Sequence, residues 1–465
     1  MALLSSPQTS DLDMFRQELV NLIDMRHVLV KLAQMIDWSS CEERFGGLYA
    51  AGVGRPGHPI RLMVGLQLLK QMSNQSDELA VSMWAENPYW QYFCGEQYFQ
   101  HQFPIDPSLM TGFRKRIGAA GCEFILGLTV KAGVATKAVS SSSFEVVNVD
   151  TTVQTKAVAF PTDTRLLHKA RIALVRLAVK HGITLRQSYA RVGLVASIKA
   201  QRYAHARQMN RAKAQTRKLR TYLGRVIRDV QRKIAHDGGS NANGNGNGVI
   251  AKHFERLLAV ATRIQTQPRR RAPGDAPKIY SVHAPEVECI AKGKVHQPYE
   301  FGVKVGLVTT SKDNFVLAAP ALPGNPYDGH TLKQCLEQAA RVCGVAAREA
   351  YTDLGYKGHG CNSDQLTVWL SGAKRGVTAA IKRKIKRRSA IEPVIGHMKS
   401  DGRLSRNYLK GTDGDAINAL LCAVGHNLRK ILKKLRLFYA FFYVLLASAL
   451  KLNLQNQITY QAVTR

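Results

Sequence analysis

The stretch SSSFEVVNVDTTVQTKAVAF, residues 141–160, decides the fold. It is rich in β-branched residues with alternation and reads as one or two strands, the first ending at Asp150. Before it, from residue 11 to about residue 135, apolar residues recur at helical spacing, as in DLDMFRQELVNLIDMRHVLVKLAQMIDW and PIRLMVGLQLLKQM. After it, strands and helices alternate. Residues 299–321 read as a strand, a turn at Lys312-Asp313-Asn314 and a second strand. GHTLKQCLEQAARVCG is an amphipathic helix, and AREAYTDLGYKGHG offers a short strand ending near Asp353. This order implies an α/β domain behind a helical N-terminal region. Within that region Pro59 suits a first helical turn, and Ser76 can cap a following helix with Asp77 and Glu78 behind it. The pair is either a helix-turn-helix or an ordinary αα-hairpin.

The chain has 465 residues, room for two or three domains. Its 66 Lys and Arg against 33 Asp and Glu give a net charge of +33 and a pI near 10.0. Such an excess makes a polyanion the natural partner, nucleic acid first, with an anionic membrane surface the other option. From Arg165 to Lys233 there are 19 Lys and Arg and a single acid, Asp229. A charge run is usually a solvated face, but so few compensating acids favour phosphate contact. HDGGSNANGNGNG, residues 236–248, reads as a flexible loop, and RRRAP, residues 269–273, as a basic turn. The eight cysteines form no C-x-x-C pair, which excludes a zinc ribbon or redox motif of that type and fits a reducing compartment. The N-terminus lacks the basic start and apolar run of a signal peptide. The apolar run from Leu437 stops after 14 residues at Lys451, short of the roughly 20 a membrane span needs, so a buried or interface helix is expected there.

In so basic a chain, isolated carboxylates stand out. Asp150 ends a strand in VVNVDTT, Asp353 ends one in AYTDLGYKG, and Glu392 lies in helix-like SAIEPVIGHMK. Strand ends and the loops after them are where α/β folds place reactive groups. Converging carboxylates hold hard divalent cations, which bridge substrate phosphates in phosphoryl transfer. Each acid also has a plain structural reading. Asp150 and Asp353 suit turns, and Glu392 follows Ser389 at the spacing of a capping box. Arg388, Glu392 and Lys399 fall on one stripe of an ideal helix, which would flank the acid with cations or merely form an i,i+4 surface pair. Pro393 is expected to mark the start of that helix.

These segments resemble the DDE transposases of bacterial insertion sequences, in particular family five. The resemblance covers nearly the whole chain, through NPYWQYFCGEQYFQH, PIDPSLMTGFRKRIG, VDTTVQTKAVAFPTDTRLLHKAR, YEFGVKVGLVTT, LPGNPYDGHTL, YTDLGYKGH and RRSAIEPVIGHMKSDGRLSRNYLKGTDGDAINALL. It implies an RNase H-like α/β catalytic domain, a mixed sheet flanked by helices, at 141–164 and 276–435. An all-helical DNA-binding domain would occupy 1–140, a basic helical insertion 165–275, and an apolar helix and tail 436–465. Asp150, Asp353 and Glu392 match the catalytic and metal-binding triad, which implies two Mg²⁺ ions, with Mn²⁺ as a substitute. Arg388 and Lys399 match phosphate-binding places of the pattern Y-x2-R-x3-E-x6-K, whose tyrosine place holds Ile385. Arg165, Lys169, Arg171, Lys357 and Arg403 are further candidates for DNA contact. The implied partners are double-stranded DNA, as terminal inverted repeats and target, and a second copy of the chain in a homodimer on that DNA. The implied place is the bacterial cytoplasm, at the nucleoid, with no membrane. The alternatives are a DNA-binding protein without catalysis and a decayed transposase.

Overall fold

The computed structural model describes residues 17–49, 57–240, 246–268, 274–292, 298–361, 364–373 and 376–463. The expected basic turn at 269–273, the helix start at 11–16 and the side chains of 438–463 lie outside that description. Strands are numbered β1 Val146–Thr155, β2 Glu288–Ala291, β3 Tyr299–Thr310, β4 Val316–Ala318, β5 Ala321–Leu322, β6 Glu349–Thr352 and β7 Thr367–Leu370. The chain divides into two compact units, residues 1–154, 304–409 and 413–465 forming one, and 155–303 with 410–412 forming the other.

The first unit is built on a mixed sheet. β3, β1, β6 and β7 lie side by side in that order, and β5 and β4 pair antiparallel with successive stretches of β3. β1, β6 and β7 run parallel to one another. Their inner residues Val147, Val149, Ala350 and Tyr351 are buried, as a parallel sheet covered on both faces requires. The helix Asp328–Cys343 packs on the sheet so closely that a Cβ on Gly306 of β3 would meet Cys335 Sγ at 2.3 Å. The helix Ser108–Ala135 packs in the same way, with Gly133 against the ring of Phe315. Asn427, fully buried on the helix Gly411–Val463, accepts from the N–H of Val316 and donates to its carbonyl and to Thr129. A side chain thus serves as the missing neighbour of β4 and closes that edge.

The N-terminal helices therefore share a core with the sheet. They form no separate unit, in contrast to the boundary expected at residue 140. The helix Ile60–Ser73 is buried over nearly its whole length, and Asn74 ends it in the left-handed conformation. Ser76 caps the next helix, Asp77–Glu86, by accepting from Leu79 N–H, as the sequence suggests. Asp77 forms a two-pronged pair with the buried Arg114 and also binds Lys70. These bonds turn the helix pair inward, into the core. The helix Ser108–Ala135 is long and apolar enough to cross a membrane by length and composition. It is kinked at Gly118 and contributes Phe113, Ile125, Leu126 and Val130 to the core.

The second unit is a helical bundle. Helices Asp163–Lys180, Ala190–His205, Met209–Ser240 and Gly246–Thr266 enclose a core that includes Leu167, Leu174, Leu223, Val226, Phe254 and Ile264. It is larger than the expected insertion at 165–275, because β2 pairs antiparallel with the first residues of β3 inside it. The tract expected as a loop at 236–248 lies partly outside the described residues. Residues up to 240 and from 246 onward are helical, continuing the long helices beside it. All eight cysteines are free.

Candidate active site

The register of the parallel strands builds the site. β1 and β6 pair through Val146↔Glu349, Val147↔Ala350 and Asn148↔Tyr351. Two residues further along each strand direction stand Asp150 and Asp353. The same register therefore brings them level, on strands about 4.8 Å apart, at the carboxyl end of the parallel pair. Asp150 does not end its strand as expected, since β1 continues to Thr155. It lies just past the β6 pairing, where the sheet opens. Asp353 follows β6 directly and caps the short turn Leu354–Tyr356 by accepting from Gly355 N–H at 3.0 Å. This is the turn role that the sequence allows for Asp353.

Asp150 Oδ1 accepts from Thr151 N–H at 2.7 Å, and Oδ2 takes Arg388 Nη1 at 3.2 Å. Burial pushes its pKa up to about 6, the charge of Asp353 adds to that rise, and the Thr151 and Arg388 bonds oppose it. The site thus holds two neighbouring carboxylates, one of them largely withdrawn from water. Tyr356 lies beside them, 1% exposed, and its hydroxyl has no hydrogen-bond partner among the described residues. Paired hard oxygen donors and an orphaned buried hydroxyl fit a hydrated divalent cation.

Glu392 is carried by the helix Ile391–Ser400, directly after a 3₁₀ turn at Arg388–Ala390 and the helix Ala379–Arg387. Pro393 sits in the first turn of that helix, as expected, although another helix ends just before it. Ser389 does not cap it; its hydroxyl donates to the Lys386 carbonyl. Glu392 is 65% exposed and lies 3.7 Å from Arg388 Nη2. One guanidinium therefore stands between Asp150 and Glu392, bound to both. Among the described residues no group of three His, Cys, Asp or Glu is close enough together to hold a metal ion. The structure brings Asp150 and Asp353 together and leaves Glu392 to the side. Lys399 lies half-buried on the same short helix.

The other candidates separate by burial. Arg165, Lys169 and Lys357 are exposed. Arg171 is not available to a phosphate: it is 3% exposed and donates to the Ser188 carbonyl at 2.7 Å. Arg403 is likewise engaged, with Nε on the side chain and Nη2 on the carbonyl of Asn74, each at 3.0 Å. Three residues at the site, Thr151, Lys304 and Asp328, do not stand out in the sequence. Asp328 Oδ1 accepts from the Thr151 hydroxyl and from Lys304 Nζ, each at 3.0 Å. A signal for Asp328 is present in LPGNPYDGHTL, where an acid stands at a helix start. The periodicity places that helix only from the following glycine.

A mixed sheet flanked by helices is consistent with the RNase H-like frame that a transposase DDE domain implies. Two family models match the chain, one described as a transposase domain over residues 17–116 and one as a transposase DDE domain over residues 367–432. The second includes Arg388, Glu392 and Lys399 but neither aspartate. The chain is also similar to an uncharacterized protein, ORF8 in the nfe locus of Rhizobium meliloti. The two are 53% identical over 204 residues, covering 44% of this chain and 98% of that protein. No solved structure matches. The chain belongs to the DDE transposases of insertion sequences.

Proposed function

We propose that this transposase binds the terminal inverted repeats of its element, cuts the DNA at the element's ends and joins the freed 3′-hydroxyl to target DNA. The observation that carries the reading is the register that sets Asp150 level with Asp353 at the open end of the sheet. When bound, Mg²⁺ or Mn²⁺ supplies Lewis-acid polarisation and charge neutralisation for an in-line phosphoryl displacement. Asp150 and Asp353 would hold the cations. Glu392 is the third donor. To join the pair, its exposed side chain would have to leave Arg388, whose Nη2 lies 3.7 Å from it. Arg388 then has its guanidinium for a DNA phosphate, which it grips in two-pronged fashion, with Lys399 on the same helix supporting it. Ile385 offers no hydroxyl at its place in the pattern, so the strand ends are held there without one.

The exposed cations of the second unit, including Arg165 and Lys169, lie along the DNA backbone, and two copies of the chain act on paired ends in the nucleoid. Substituting Asp353→Asn is expected to abolish Mg²⁺-dependent end cleavage while leaving mobility-shift binding to the inverted repeat intact. A fully active variant contradicts the assignment of Asp353. The stand-off of Glu392 favours one second reading, a DNA-binding protein that no longer cuts. In that case the unaltered protein shifts the repeat and cleaves nothing.

A further inference from the structure

We propose that Asp328 is a positioning residue for the Asp150–Asp353 pair, setting the separation of the two acids through Thr151 and through the turn that carries Asp353. The inference rests on the metal-binding reading of that pair. Thr151 is the link on one side. Its N–H holds Asp150 Oδ1 at 2.7 Å, and its hydroxyl donates to Asp328 Oδ1 at 3.0 Å. Lys304 Nζ donates to that same oxygen at 3.0 Å and to the Pro326 carbonyl at 2.7 Å, which pins the start of the helix Asp328–Cys343 to β3.

The second side runs through Gly355. A Cβ there would lie 3.1 Å from Asp353 Oδ1 and 3.3 Å from Asp328 Oδ2, so the turn passes between the two acids without room to spare. The Tyr327 hydroxyl donates to the Lys357 carbonyl at 2.9 Å, and a Cβ on Gly329 would meet the Tyr356 carbonyl at 3.3 Å. Helix start and turn are thus docked as one piece. Tyr356, beside Gly355 in that turn, is buried with its hydroxyl unpartnered among the described residues and close enough to Asp150, Asp328 and Asp353 to feel their charge, a second mark of a polar ligand's surroundings. Residues that orient a ligating carboxylate without touching the metal commonly change its affinity by 10–100-fold.

The test measures Mn²⁺ binding to the full chain by electron paramagnetic resonance, with circular-dichroism melting of each variant alongside. Asp328→Ala and Thr151→Val are expected to weaken Mn²⁺ binding by about tenfold or more while the folded spectrum is kept. Asp328→Asn is expected to stay near the unaltered protein, because its amide oxygen still accepts from Thr151 and Lys304. A lower melting temperature for Asp328→Ala with unchanged Mn²⁺ affinity overturns the proposal, since that is what a purely structural role gives. A loss in Asp328→Asn equal to that in Asp328→Ala also overturns it, in favour of direct ligation. If Asp328→Ala does not fold, Thr151→Val decides alone, because it leaves the Asp328–Lys304 pair in place. Asp353→Asn is the reference. If it too binds Mn²⁺ like the unaltered protein, the metal reading itself fails.

Discussion

His426 lies on the helix Gly411–Val463 with Nε2 3.2 Å from the Asn314 carbonyl. Burial pushes its pKa down from 6.5 to about 3, although the Asn314 carbonyl favours the charged form. The ring is therefore neutral and donates its Nε2 hydrogen to that carbonyl. Its folded pKa is below the unfolded one, so below 6.5 the unfolded chain takes the proton first. Stability contributed by the neutral ring is complete above 6.5 and is lost as pH falls toward 3. In His426→Gln, the fall in melting temperature on moving from about pH 7 to about pH 4 is expected to be smaller than in the unaltered protein. Equal falls in a calorimetric comparison contradict this. At this scale the sequence is legible where a residue is chemically out of place. Asp150 and Asp353 stand out as lone acids in a basic chain, although β1 runs on past Asp150. Asp328 does not, because an acid at a helix start looks ordinary until Thr151 and Lys304 are seen to meet it.

The helix Met209–Ser240 shows how an element can be read correctly and still hide its purpose. Its buried stripe, Leu219, Leu223, Val226 and Val230, recurs at helical spacing and is plain in the sequence. Which way the lone acid points is not. Asp229 is 6% exposed and turned inward, accepting from Arg186 N–H at 2.8 Å. The outer face from Arg165 to Lys233 is thus left to cations, all of them exposed except Arg171 and the half-buried Lys233. Arg211, Lys218, Arg225 and Arg232 are seven residues apart and form one stripe, with a step of roughly 10 Å that suits a phosphate backbone. Replacing these four by serine is expected to reduce the slope of log affinity against log salt by about 0.9 for each duplex phosphate deprived of its cation. An unchanged slope in a salt-titrated mobility shift returns the stripe to a solvated face. The helix carrying Glu392 is partly legible too. Pro393 marks its first turn, but the 3₁₀ break before it and the failure of Ser389 to cap it depend on local backbone geometry.

Across the whole molecule, the pattern of strands and helices reveals an α/β core but not its extent. The N-terminal helices read as a domain of their own because their amphipathic spacing says only that they bury a face, not against what. Packing of Gly133 on Phe315, and the bonds of Asn427 to Val316 and Thr129, bind them into the unit of the sheet. β1 and β3 each begin in one unit and end in the other, so the insertion leaves and rejoins the core through the strands beside Asp150 and Lys304. The claim at the centre of this account is that the acids level across β1 and β6 transfer DNA strands. The most direct measurement gives the purified chain a pre-cut element end with a free 3′-hydroxyl, a target plasmid and Mg²⁺. The account predicts covalent joining of that 3′ end to the plasmid, absent in Asp150→Asn and absent when Mg²⁺ is chelated. Joining that survives in Asp150→Asn, or a bound complex that never joins, would contradict it.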